Sequence, residues 1–160
     1  MNRPESPTRV YLDACCLISL VKDEPSAAIV ERVLESATTG GVTLIASTML
    51  LVEARGRGRK QCSFDPLLEE KLLAELSSPH WTYVELDRLT ALKSRELALE
   101  WNFSNADAVH LASAIVGEAE VLMTLNTKDF PVGVEIEGVY ISKPYVPGGA
   151  DLFTEEPDDD

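Results

Sequence analysis

The chain has 160 residues, 45% of them hydrophobic and 26% charged, and a formal net charge of -13. That size and balance suit one compact domain with a sizeable core and leave no room for a second. The acidity weighs against indiscriminate nucleic-acid binding, because phosphate backbones are held by positive surface.

The opening "MNRPESPT" is polar and broken by proline, without the apolar stretch of a secretory signal, so a cytoplasmic protein is expected. Residues 9–12, "RVYL", read as a buried strand, followed by helical patterns over 15–22 and 25–38. A second strand is expected over 42–46 and a helix over 47–55, with Ser47 as its N-cap and also able to face the site. The apolar stretch "VTLIASTMLLV" that joins them is too short for a bilayer span and carries Ser47 and two threonines, so no membrane segment is expected. A helix over 65–76, a more exposed strand over 82–86 and a helix over 88–100 come next. A helix over 105–117, capped by Ser104 or Asn105, and strands over 120–125 and 138–142 complete the series. This alternation predicts an α/β fold with a mostly parallel sheet of about five short strands, covered on both faces. The domain is expected over 9–147, flanked by a disordered stretch over 1–8 and an acidic flexible tail over 148–160. Cys15, Cys16 and Cys62 are odd in number and lack zinc-site spacing, which predicts reduced, buried thiols.

Ligands of such sheets bind outside the carboxyl ends of the strands. Asp13 follows the first strand directly, Glu53 lies on the helix after the second, and Asp107 sits in the first turn of "NADAVHLASAI". Asn126 follows the fourth strand in "LMTLNTKDF". Taken singly, each has a plain alternative: Asp13 a helix N-cap, Glu53 an exposed glutamate, Asp107 a partner of the helix dipole, Asn126 a turn residue. Taken together they form a cluster whose repulsion must be answered. Two carboxylates about 4 Å apart repel by roughly 4 kcal/mol at an effective dielectric of 20, and three mutual contacts by about 12 kcal/mol, comparable with a whole domain's stability. Such a group takes up protons or binds a cation, and oxygen ligands favour a hard ion, Mg²⁺ or Mn²⁺.

The ordered segments "VYLDACCLISL", "STMLLVEARG", "SNADAVHLASAI" and "LMTLNTKDF" resemble the PIN-domain family, in particular the VapC-like toxin ribonucleases of toxin-antitoxin pairs. The resemblance spans about residues 9–142 and implies a three-layer α/β/α sandwich. It implies that Asp13, Glu53 and Asp107 hold one or two Mg²⁺ or Mn²⁺ ions, with Asn126 assisting and Ser47 and Thr124 supporting them. It implies metal-assisted hydrolysis of single-stranded RNA, a cognate antitoxin partner and a homodimer. The sequence departs from the family after the first Asp, where Ala14 and Cys15 replace a hydroxyl residue and Asn. Asp129 is expected to lie in a turn beyond the site. His110, one turn after Asp107, reads as a structural histidine, with approach to the substrate as the alternative.

Positive charge is concentrated in "RGRGRK", which holds Arg55, Arg57, Arg59 and Lys60. The plain reading is a solvated helix end; the functional one is a phosphate grip beside Glu53, with Arg55 and Arg57 as substrate contacts. The tail "DLFTEEPDDD" carries six acids, which leaves -7 on the rest of the chain. It reads as a solvated terminus, and a sharper possibility is that it screens the basic segment from nucleic acid. A haloacid-dehalogenase-like phosphatase fits poorly, since it wants a second Asp where this chain has Cys15. A catalytically silent PIN-like binding module and a free-standing ribonuclease without an antitoxin are the remaining alternatives.

Overall fold

The computed structural model describes residues 2–57 and 64–149. Arg59, Lys60, Cys62 and most of the acidic tail lie outside those residues.

Six strands and six helices follow one another as β1 (Arg9–Leu12), α1 (Ala14–Val21), α2 (Ala27–Thr38), β2 (Thr43–Ser47), α3 (Met49–Glu53) and α4 (Pro66–Leu76). Then come β3 (Trp81–Val84), α5 (Arg88–Trp101), α6 (Asn105–Val116), β4 (Val121–Met123), β5 (Glu135–Ile136) and β6 (Val139–Ser142). They form a single sheet in the order β3-β2-β1-β4-β6-β5, parallel except where the two-residue β5 pairs with β6. The sequence predicts about five strands. The sixth is β5, which is too short to carry an alternating pattern and forms because Glu137 and Gly138, both at positive φ, turn the chain back on itself.

The strands are buried on both sides, and side chains alternate between two cores. Val10 and Leu12, Leu44 and Ala46, and Val121 and Met123 face a core that includes Leu17, Val30, Val33 and Leu72 from α1, α2 and α4. Tyr11, Ile45 and Leu122 face the opposite core, which receives Leu97 of α5 and Leu111 and Ala112 of α6. The result is the expected three-layer arrangement. Each fully buried Leu or Val contributes roughly 1.5–3 kcal/mol relative to exposure, so the two cores hold the sheet between fixed helical layers. Gly117, just past α6, sets how closely that helix lies on the sheet. A Cβ there would fall 2.7 Å from Ile45 Cγ2 and 3.1 Å from Val84 Cγ2.

The expected helix over 47–55 is shorter in the structure. Ser47 ends β2 in the register with Val84, and Thr48 takes the N-cap position, because the sheet claims the backbone of Ser47. Ser47 Oγ still accepts the Met49 N–H at 3.0 Å. Residues 2–8 lie against the rest of the chain: Thr8 hydrogen bonds Glu120, the Tyr145 hydroxyl donates to the Pro4 carbonyl, and the Arg3 guanidinium stacks 4.1 Å from the Tyr145 ring centroid.

β1 lies at the centre, with β2 on one side and β4 on the other. The connections leaving its two flanks diverge at its carboxyl end, where such sheets bind ligands. Asp13 is the next residue.

Candidate metal centre

Asp13 caps α1 and lies at the candidate site. Its backbone N–H donates to the Met123 carbonyl at 3.0 Å, which extends the β1–β4 pairing by one bond. Its Oδ1 accepts the Ala14 N–H at 2.8 Å, the capping bond that starts α1. Its Oδ2 accepts from Thr124 Oγ1 at 2.8 Å and from the Cys15 thiol at 3.3 Å. A carboxylate oxygen has two acceptor positions, so Oδ2 is filled and Oδ1 keeps one. The Cys15 sulfur also accepts the Leu125 N–H at 3.2 Å. Thr124 and Cys15 thus supply the support that the sequence lacks at Ala14.

Glu53 ends α3 and reaches the same edge from β2. Its Oε2 lies 2.6 Å from His110 Nε2, and His110 Nε2 lies 3.7 Å from Asp13 Oδ1. His110 is buried on α6, and its other ring nitrogen, Nδ1, lies 2.7 Å from the Tyr11 hydroxyl. That hydroxyl accepts the Ser47 backbone N–H at 3.0 Å. Ser47 therefore supports the site through its backbone. Burial opposes charge on His110, but the bond to Glu53 and the charges of Asp13, Glu53 and Asp107 outweigh it and raise its pKa.

Among the described residues, the group whose ligand atoms lie within 4.8 Å of one another is Asp13, Glu53 and His110. Two donors that each bind one cation at about 2 Å lie at most about 4 Å apart, and the separations of 2.6 and 3.7 Å from Nε2 meet that limit. The donor set fits a divalent cation.

Asp107, in the first turn of α6, stands beside this group. Its Oδ2 accepts from Ser104 Oγ at 2.7 Å, and its N–H donates to the same hydroxyl at 3.2 Å, so Ser104 is the helix cap. Desolvation raises the Asp107 pKa, and the charges of Asp13 and Asp129 raise it further. Asp129 does lie in a turn, as the sequence predicts, yet its charge reaches the site. Asn126 Nδ2 donates to Asp129 Oδ2 at 2.9 Å, so the amide holds the acid in place. The Asn126 N–H donates to Thr124 Oγ1 at 3.0 Å, which ties this turn to the hydroxyl that supports Asp13. Arg55 and Arg57 are exposed just beyond Glu53.

The reading of His110 as structural describes its bond to Tyr11 but misses Nε2, which faces the acids. Its place one turn after Asp107, a spacing that puts both side chains on one face of a helix, points to the substrate-side alternative rather than to contact with Glu53. Tyr11 was read as a buried strand residue, and nothing local reveals what its hydroxyl meets.

A toxin-antitoxin complex from Klebsiella pneumoniae is similar to this chain at 25% identity and a TM-score of 0.62, over 85% of this chain and 98% of that one. VapBC2 from Rickettsia felis, in a crystal structure bound to a DNA fragment from its promoter, shares the fold at 18% identity and a TM-score of 0.57. That match covers 84% of this chain and 98% of the other. No protein with a curated description matches. The PIN domain model matches residues 10–132, from the strand that ends at Asp13 to the turn that holds Asp129, and the chain belongs to the PIN-domain family.

Proposed function

We propose that the protein is a divalent-metal-dependent endoribonuclease that hydrolyses phosphodiester bonds of single-stranded RNA, and that it is the toxin of a toxin-antitoxin pair. The observation that carries this reading is the meeting of Asp13, Glu53 and His110, with Asp107 alongside, at the carboxyl edge of the sheet in a PIN-domain chain. Asp13, Glu53 and Asp107 would hold Mg²⁺ or Mn²⁺, with Asn126 assisting by fixing Asp129. When bound, a divalent cation supplies charge stabilisation at the phosphoryl oxygens and lowers the pKa of water.

The chain's own residues do the rest. Thr124 and Cys15 fix the rotamer of Asp13, and the Tyr11–His110 pair fixes Glu53. Arg55 and Arg57, exposed beyond Glu53, would meet backbone phosphates of the RNA and partly offset the acidity of the chain. Desolvation raises the Asp107 pKa, and a nearby cation would counter that shift and favour the ionised form that can act as a ligand.

An antitoxin partner is supported by the two neighbours, a toxin-antitoxin complex and VapBC2. No helix of the described residues is long and apolar enough to cross a membrane. A cytoplasmic location and a homodimer belong to the same proposal and rest on the sequence reading alone. The proposed nuclease body spans 9–147, with an acidic tail over 148–160; the stretch over 1–8, expected to be disordered, packs through Arg3, Pro4 and Thr8.

Purified protein incubated with single-stranded RNA, with Mn²⁺ or with EDTA, tests the activity, with Asp107→Asn in parallel. Cleavage that needs metal and is lost in the variant is the expected result. Intact RNA in the presence of well-folded, metal-loaded protein would favour a silent binding module. Isolation with a small co-purifying antitoxin, against isolation alone, separates the paired toxin from a free-standing ribonuclease.

A further inference from the structure

The acids of this site are joined by a nitrogen. His110 Nε2 is nearer to Glu53 Oε2, at 2.6 Å, than either is to any other donor described at the site, and it is 3.7 Å from Asp13 Oδ1. The imidazole is 2% exposed and is held from behind by Tyr11, which in turn is held by the Ser47 N–H. A buried ring fixed at one nitrogen with the other turned to two carboxylates is the arrangement in which histidine serves as a metal ligand. The hydrogen bond at the far nitrogen sets the ring's orientation.

We infer that His110 Nε2 is a direct ligand of the cation, joining Asp13 and Glu53 in one donor group with the Asp107 carboxylate alongside. The site would therefore favour a transition ion such as Mn²⁺ over Mg²⁺. This rests on the metal-dependent reading above. The chemical reason is ligand softness: carboxylate oxygens alone suit Mg²⁺, whereas imidazole adds affinity for ions that accept nitrogen, and Mg²⁺ gives up its water reluctantly. Ligation requires Nε2 to be free of its proton and Nδ1 to carry one. The Tyr11 hydroxyl beside Nδ1 can accept as well as donate, so the ring keeps its support in either tautomer. The alternative role is positional, with His110 only steering Glu53 through their hydrogen bond. That role would leave the ion bound by oxygen alone and would affect Mg²⁺ and Mn²⁺ equally.

Electron paramagnetic resonance on the full-length protein separates the two. Loss of the free Mn²⁺ signal on titration reports binding, and pulsed measurements report whether a ¹⁴N nucleus is coupled to the bound ion. The expected result is a directly coordinated nitrogen in the native protein that vanishes in His110→Ala. Mn²⁺ affinity in that variant should fall about tenfold or more, the lower end of what supporting residues alone contribute, and Mg²⁺ affinity, measured by competition, should fall much less. Bound Mn²⁺ without nitrogen coupling would overturn the inference and leave the metal-dependent reading standing. Failure of the native protein to bind Mn²⁺ would overturn both. Because the decisive signal comes from the native protein, instability of the variant does not blunt the test.

Discussion

The Tyr11 hydroxyl lies 2.7 Å from His110 Nδ1 and accepts the Ser47 N–H at 3.0 Å, so one buried phenol joins the central strand, the end of β2 and the site helix. Burial, opposed by the Ser47 bond and reinforced by the charges of Asp13 and Glu53, holds its pKa well above the ordinary tyrosine value, and the phenol is neutral. Tyr11→Phe keeps the ring and strips the partner from two buried polar groups. A loss of about 1–3 kcal/mol is expected, measured by urea unfolding, with weaker Mn²⁺ binding by calorimetry. Unchanged unfolding would show that the bridge contributes nothing.

Thr124 orients Asp13 through a 2.8 Å hydrogen bond and receives the Asn126 N–H on the same oxygen. Thr124→Val preserves shape and removes both. Mn²⁺ affinity should fall about 10- to 100-fold by calorimetry, as for other residues that support a metal ligand, while Thr124→Ser should retain most of it. Equal affinity in Thr124→Val and the native protein would place the support of Asp13 on Cys15 and the Ala14 N–H.

Asp107 carries a pH signature. Desolvation first, then the charges of Asp13 and Asp129, raise its pKa above 3.8 in the folded chain. The folded state thus holds this proton more tightly than the unfolded chain. The stabilisation is complete below the unfolded value and is lost as pH rises through the raised folded value. In EDTA, the native protein's advantage at acid pH should therefore shrink across that window, whereas Asp107→Asn should lack this component and be the more stable of the two at neutral pH. Thermal melts from acid to neutral pH check this. A neutral-pH melt lower for Asp107→Asn than for the native protein would contradict it.

Gly117→Ala tests how α6 is seated. The added methyl would meet Ile45 Cγ2 at 2.7 Å and the Ser113 carbonyl at 3.0 Å, contacts that require the helix or the sheet to shift. A cost of about 1–3 kcal/mol is expected from denaturant unfolding, together with weaker metal binding, since α6 carries both Asp107 and His110. A variant as stable as the native protein would mean that the helix end relaxes without strain.

The sequence determined the layers and the carboxylates. The short apolar runs "RVYL" and "VTLIA", with helical spacing between them, are local properties, and such runs mark strands covered on both faces. Asp13 was legible because it directly follows a strand, and Asp107 because it opens a helix behind Ser104. Only the tertiary structure decided what joins them. Tyr11 and His110 are 99 positions apart, as are few contacts that periodicity can announce, and His110 meets Glu53 across another 57. The support that Ala14 cannot give comes from Thr124 because β4 lies beside β1 in the sheet, with Met123 in register with Leu12. Strand order brings those residues together, and it is settled by packing of the whole chain, which no single segment encodes.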